Sequence, residues 1–256
     1  MSTRVATVEQ QLTGPAARVL RRAVRSAGVD TETRGPTRWL FVDRPPRNLL
    51  DPEVMDELAA ALRRCDGDRS VSAVVLSGRG ETFCCGLDTS AFQRGADPVD
   101  FASSLVALLR IFPSLGKPVL AAVNGDALAS GFGLVCAVDY AVTVAEAKLG
   151  TYEASVGTWP MIAQVPVLRR LLPRHALENI LSGIPFSADD ALRIGAVNRV
   201  VSPALLEDAV LEYAAAAVRA GGALAAGRRS FYRFLDLGYG EALEQALDEF
   251  TRMFRA

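Results

Sequence analysis

Apolar runs alternate with amphipathic stretches through the middle of the chain, and this alternation predicts a parallel α/β core. WLFVDRP reads as a strand that stops at Pro45 and Pro46, because the residue before a proline is held out of the helical region. LDPEVMDELAAALRRCDGD repeats its apolar positions at helical spacing, with Asp51 as N-cap and Pro52 at the first helical position. SAVVLSGRG is a second strand running into a glycine turn, and Asp100–Phe112 follows a helical period. PVLAAVNG is a third strand, SGFGLVCAV a buried helix and YAVTVA a fourth strand. Strands this apolar need both faces covered, which crossover helices provide.

The two ends read differently. Residues 1–37 are polar and rich in Arg and Thr. Within them, Ala16, Val19, Leu20, Ala23 and Val24 fall at helical spacing between Pro15 and Gly28, predicting a short helix that lies on the domain or serves as a partner-binding arm. The core is expected over 38–195. From Val165 onward strands become scarce: VLRRLLPRHALENILSG, SADDALRIGAV, LLEDAVLEYAAAAVRAG and EALEQALDEFTRMFR have helical periods, with VNRVVS a short extended piece. Residues 196–256 are expected as a helical region.

Charge and cysteine content narrow the function class. A formal net charge of −1 provides no global field for nucleic acid or an anionic membrane. Cys65, Cys84, Cys85 and Cys136 match no zinc spacing and His175 is the only histidine, so no metal is implied. Reduced thiols, no apolar leader core and no uninterrupted apolar run of spanning length together predict a cytoplasmic protein without a membrane segment. GRGETF lacks the ending of a phosphate-binding loop, and no dinucleotide pattern is present.

The candidate chemistry lies in Val119–Glu153. A small-residue turn, DALASGFG, feeds a helix and exposes backbone N–H groups suited to developing negative charge. Glu153 sits in LGTYEASVG among small and apolar residues, where a carboxylate resists ionisation and becomes a proton carrier near neutral pH. Together these features point to enolate chemistry.

Four motifs in chain order resemble the enoyl-CoA hydratase/isomerase, or crotonase, superfamily. ETFCCGLD resembles its Phe-x-Ala-Gly-x-Asp loop, and KPVLAAVNGDALASGFGLVCAVDYAV its Lys-Pro-x-x-Ala-x-x-Asn-Gly segment with the following glycine turn. LGTYEASVGTWP is similar to the segment carrying a catalytic glutamate, and SADDALRIGAVNRVV to the Ala-x-x-Ala-x-x-x-Gly-Leu-Val stretch. The resemblance implies a crotonase-like spiral of ββα units with a C-terminal helical trimerisation region, giving a homotrimer or a dimer of trimers. It implies an acyl thioester, on coenzyme A or a carrier protein, as substrate, with coenzyme A part of that substrate and no separate cofactor. It also implies an oxyanion hole built from the N–H groups of Leu87 and Ser130, with Glu153 catalytic. The contacts it implies for the acyl-CoA are Arg47, Leu49, Cys85, Asp88, Thr89, Phe132, Tyr152 and Trp159. Several of these have a plainer reading. Arg47 is either a phosphate contact or a solvated arginine, Phe132 and Trp159 either line the pocket or fill core, and Asp88 caps a helix or orients its loop.

One departure sets the expected reaction. Hydratases of this family resemble one another in using two glutamates, and Gly133 stands where the first would be. Adding water across a double bond engages two carboxylates, whereas moving a proton between two carbons needs only one. The expectation is therefore Δ3,Δ2 double-bond isomerisation by Glu153. Hydration assisted by Tyr152, Thr158 or Ser130 is the alternative, and a weakly active thioester-binding subunit is the third reading.

Overall fold

The computed structural model describes residues 28–255. Its main sheet has six strands in the order β1-β2-β3-β4-β6-β9. These are β1 (Val29–Arg34), β2 (Thr37–Val42), β3 (Ala73–Gly78), β4 (Val119–Val123), β6 (Tyr140–Val144) and β9 (Arg199–Val201). All neighbours are parallel except β1 and β2, which form a hairpin with Val29 opposite Val42 and Arg34 opposite Thr37. The sheet thus begins ahead of Arg38, where the polar stretch VDTETR was read as part of an N-terminal extension. As an edge strand, β1 needs only one apolar face, so it lacks the continuous apolar run that marks β3 and β4. The helix expected over Pro15–Gly28 lies outside the described residues, apart from Gly28 itself.

A smaller sheet joins β5 (Ala127–Leu128), β7 (Lys148–Gly150) and β8 (Phe186–Ser187), with β5 parallel to β7 and β7 antiparallel to β8. Strands of two or three residues carry too little periodicity to be read from sequence. The helices between strands follow the expectations closely. In α1 (Pro52–Gly67), the Asp51 carboxylate accepts from the Val54 N–H at 2.9 Å, and Val54, Met55, Leu58 and Leu62 face the sheet fully buried. Each such side chain contributes about 1.5–3 kcal/mol of burial. After α2 (Ser90–Gln93) and α3 (Pro98–Leu109), α4 (Ser130–Ala137) runs through the interior.

The C-terminal half is helical, as expected. VLRRLLPRHALENILSG is divided by Pro173 into α5 (Gln164–Arg170) and α6 (Pro173–Ser182), and α7 (Ala188–Arg193) precedes β9. Pro203–Phe234 is, by length and composition, apolar enough to cross a membrane, although charged residues such as Glu207, Asp208, Glu212 and Arg219 interrupt it. Gly221 (φ 57°, ψ −134°) breaks it into α8 (Leu206–Ala217) and α9 (Leu224–Phe234). Leu206, Ala209, Val210 and Ala214 of α8 are buried, and the helix packs on β4 and β6. The buried Arg228 of α9 ties this region to the main sheet. It donates to Asp139 at 2.9 Å and to the carbonyls of Phe112 and Leu115, while the Tyr232 hydroxyl donates to the same aspartate at 2.6 Å. The last helix, α10 (Tyr239–Arg255), has no buried residue.

Candidate functional site

The site is assembled where the loop after β3 meets the start of α4. Asn48 is fully buried at φ 50°. Its amide oxygen accepts from the Arg44 N–H, and its amide nitrogen donates to the carbonyls of Arg79 and Thr82. This clamp holds the segment 44–51 against the loop 82–88. Ladder bonds continue the contact: Cys85 N–H to Arg47 O at 3.0 Å, Leu50 N–H to Gly86 O at 2.9 Å and Asp88 N–H to Leu50 O at 2.8 Å. In such a ladder alternate amides point to opposite sides. The Leu87 N–H is the one turned away, and it donates to no oxygen among the described residues.

The second amide comes from the helix start. Ala129 N–H donates to Gly150 O at 2.9 Å, and the chain turns into α4 through an alanine held at φ 52°, ψ −121°. A non-glycine residue pays about 1–3 kcal/mol for such a conformation. Ser130 is the first helical residue, so its N–H has no intrahelical acceptor, and none is found elsewhere among the described residues. Two glycines allow the halves to meet. A Cβ on Gly131 would lie 2.0 Å from the Cys84 carbonyl, and one on Gly86 (φ +97°) would lie 2.8 Å from the Ala129 Cβ and 3.6 Å from the Ser130 nitrogen. The Leu87 and Ser130 amides are therefore carried by segments in direct contact.

Glu153 follows β7, which pairs with β5 just before that turn. It opens a short 3-10 turn, Glu153–Val156, and its carboxylate accepts the Tyr152 N–H at 2.9 Å. Burial pushes its carboxyl above the usual glutamate range, and the backbone N–H groups of Glu153 and Tyr152 offset this only partly. The half-buried carboxylate is thus biased toward holding a proton. Gly133, one turn into α4, offers no second carboxylate; a Cβ there would sit 3.4 Å from Ala163.

The other expected contacts divide into two groups. Arg47 is exposed and interacts with the Cys85 thiol and the Tyr152 phenol, so these three stand together beside the Gly86–Leu87 loop, with Leu49 half-buried next to them. Burial raises the Cys85 thiol despite the nearby guanidinium. Asp88 faces outward, accepting from the Ser90 hydroxyl at 2.5 Å and from Arg94, which keeps its carboxyl below the usual range; Thr89 precedes α2 without a side-chain capping bond. Phe132 is fully buried and packs against Phe186. Trp159 is 39% exposed and donates from its indole nitrogen to Gln164 at 3.0 Å. The asparagines that lock the loops were missed in the sequence. Their signal is a polar residue at an apolar-period position, as for Asn179 between Ala176 and Ile180 in α6.

Comparison with known proteins identifies the family. Residues 40–255 match the family model described as enoyl-CoA hydratase/isomerase. Carnitinyl-CoA dehydratase of Proteus mirabilis is 35% identical over 192 residues, covering 74% of each chain. The enzyme of that name from Salmonella enteritidis is 35% identical over 202 residues, 78% of this chain and 77% of the relative. Among solved structures, an enoyl-CoA hydratase of Mycobacterium smegmatis superposes with a TM-score of 0.82 at 28% identity, covering 88% of this chain and 90% of the other. A family protein from Silicibacter pomeroyi gives 0.81 at 28% identity, covering 89% and 99%. With four motifs, the spiral core and the matched family model in agreement, the chain belongs to the enoyl-CoA hydratase/isomerase family and has the crotonase fold.

Proposed function

We propose that the protein converts an acyl-CoA thioester through an enolate, with Glu153 carrying the proton and the Leu87 and Ser130 amides holding the thioester oxygen. The reaction we favour is the shift of a 3-enoyl double bond into conjugation. The carboxylate takes a proton from carbon two, charge collects on the thioester oxygen, and the same carboxyl returns the proton to carbon four. Two fixed N–H donors stabilise the charged oxygen more than the neutral carbonyl, and each is worth about 10²–10³ in rate. The observation that carries this reading is the half-buried, raised carboxyl of Glu153, with a glycine and not a second carboxylate at position 133 of α4. Coenzyme A enters on the substrate, and Arg47 at the edge of the oxyanion loop is suited to its phosphates.

A second reading has a specific observation behind it: relatives at 35% identity are named carnitinyl-CoA dehydratase. Hydration or dehydration would then proceed with water held by a group other than a glutamate on α4. Supplying 3-enoyl-CoA and crotonyl-CoA separately distinguishes the two. A gain of conjugated-thioester absorbance from the first supports isomerisation, and its rapid loss from the second supports hydration. Native turnover of both in a Glu153→Gln variant would overturn the proton-carrier role. We further propose self-association as a trimer or hexamer, because Leu243, Leu247, Phe250 and Phe254 form an exposed apolar stripe along α10.

A further inference from the structure

We infer that Asn179, on α6 and outside the reacting groups, is a positioning residue that sets where Glu153 stands relative to the Ser130 amide. This rests on the proposed role of Glu153 as proton carrier. The turn Glu153–Val156 contains no buried residue, so hydrophobic packing does not hold it in place. The strand end that leads into it is fixed by one side chain of α6. Asn179 is 1% exposed, and its amide is fully used. The oxygen accepts from Thr151 N–H at 2.8 Å and from the Thr151 hydroxyl at 2.9 Å. The nitrogen donates to the carbonyls of Thr151 and Ile184, each at 2.9 Å.

Three of those four bonds go to the residue two places before Glu153. The residue before that, Gly150, is bonded through its carbonyl to Ala129, the entry to the Ser130 amide. Gly150 also has to be glycine at this contact: a Cβ would come within 2.8 Å of the Asn179 amide nitrogen, at φ +155°. The end of α6 completes the seat, since a Cβ on Gly183 would lie 2.6 Å from the Ser155 nitrogen. Asn179, Thr151, Gly150 and Ala129 therefore form one hydrogen-bonded chain joining the carboxylate turn to the helix start. A leucine at 179 has a similar shape and none of these bonds. It would let the turn drift, and a misplacement of about 1 Å costs on the order of 10²-fold in rate.

The test uses hydrogen–deuterium exchange at carbon two of butyryl-CoA in D2O, followed by NMR, which reads enolate formation whatever the natural product. Asn179→Leu is expected to slow exchange about 10–100-fold while butyryl-CoA binds within about threefold of native. In a Glu153→Gln background the same substitution should cost little more, because two residues acting on one step are not additive. Thr151→Val, which removes one bond only, serves if Asn179→Leu does not fold, and should slow exchange by a few-fold with binding retained. Native exchange in the folded Asn179→Leu protein, or in Thr151→Val where that fallback is needed, overturns this inference alone. So does an equal loss with and without Glu153. Native exchange in Glu153→Gln by itself overturns the proton-carrier reading and this inference with it.

Discussion

Substituting Gly86 by alanine tests whether the Leu87 amide acts on substrate. Gly86 has φ +97°, and a Cβ there would be 2.8 Å from the Ala129 Cβ. Carbon atoms in contact prefer about 3.5–4.0 Å, so the two segments must separate by roughly 1 Å. The backbone conformation alone costs about 1–2 kcal/mol for a residue with a side chain, and forcing a methyl into a filled site adds about 1–3 kcal/mol. Gly35 provides the control: it also has positive φ, +58°, but nothing lies within 4 Å of its Cβ position. Gly35→Ala should therefore show the conformational cost only and leave turnover unchanged. Gly86→Ala should show both costs in chemical denaturation and lower kcat on the isomerisation or hydration substrate by about 10²-fold or more, as loss of one oxyanion donor does. If Gly86→Ala is destabilised as calculated yet keeps native kcat, the amide beside it does not serve the thioester oxygen.

The carboxyl of Glu153 is raised by burial, so the fold favours its protonated form; that contribution is present below the unfolded pKa and is lost as pH rises through the folded one. Glu153→Gln should accordingly raise the melting temperature relative to native at neutral pH, with the gain vanishing near about pH 4, while native kcat falls on the acid side at a pH above the ordinary glutamate range. At Gly133, alanine meets Ala163 at ordinary contact distance and should be tolerated, whereas Gly133→Glu must displace Ala163, destabilise the fold by about 1–3 kcal/mol and give no gain in crotonyl-CoA hydration. Burial pushes the Cys84 and Cys136 thiols up to about 12, so a thiol-specific reagent at neutral pH should leave both unmodified in the native protein and label them on unfolding.

Much of this protein was written locally. The Asp51 cap, Pro52 and the apolar spacing after them specify α1 without reference to anything distant, because capping and helical period act within a few residues. The apolar runs of β3 and β4 declare strands covered on both faces. The surroundings of Glu153, small and apolar, foretold its raised carboxyl, since desolvation follows from what the nearby chain can bury. Tertiary structure decided the rest. VDTETR became a strand only because Thr37–Val42 offered it a pairing edge. Phe132 packs against Phe186, fifty-four residues on, a neighbour no local pattern reveals. The Leu87 and Ser130 amides come from segments far apart in sequence, and their meeting depends on glycines whose missing side chains make room for a distant backbone. Asn179 reads as one polar residue in an apolar stripe until Thr151 is brought against it. Local interactions depend on neighbours along the chain and can be read from it; close approach and shared hydrogen bonds depend on neighbours in space, which only the folded chain supplies.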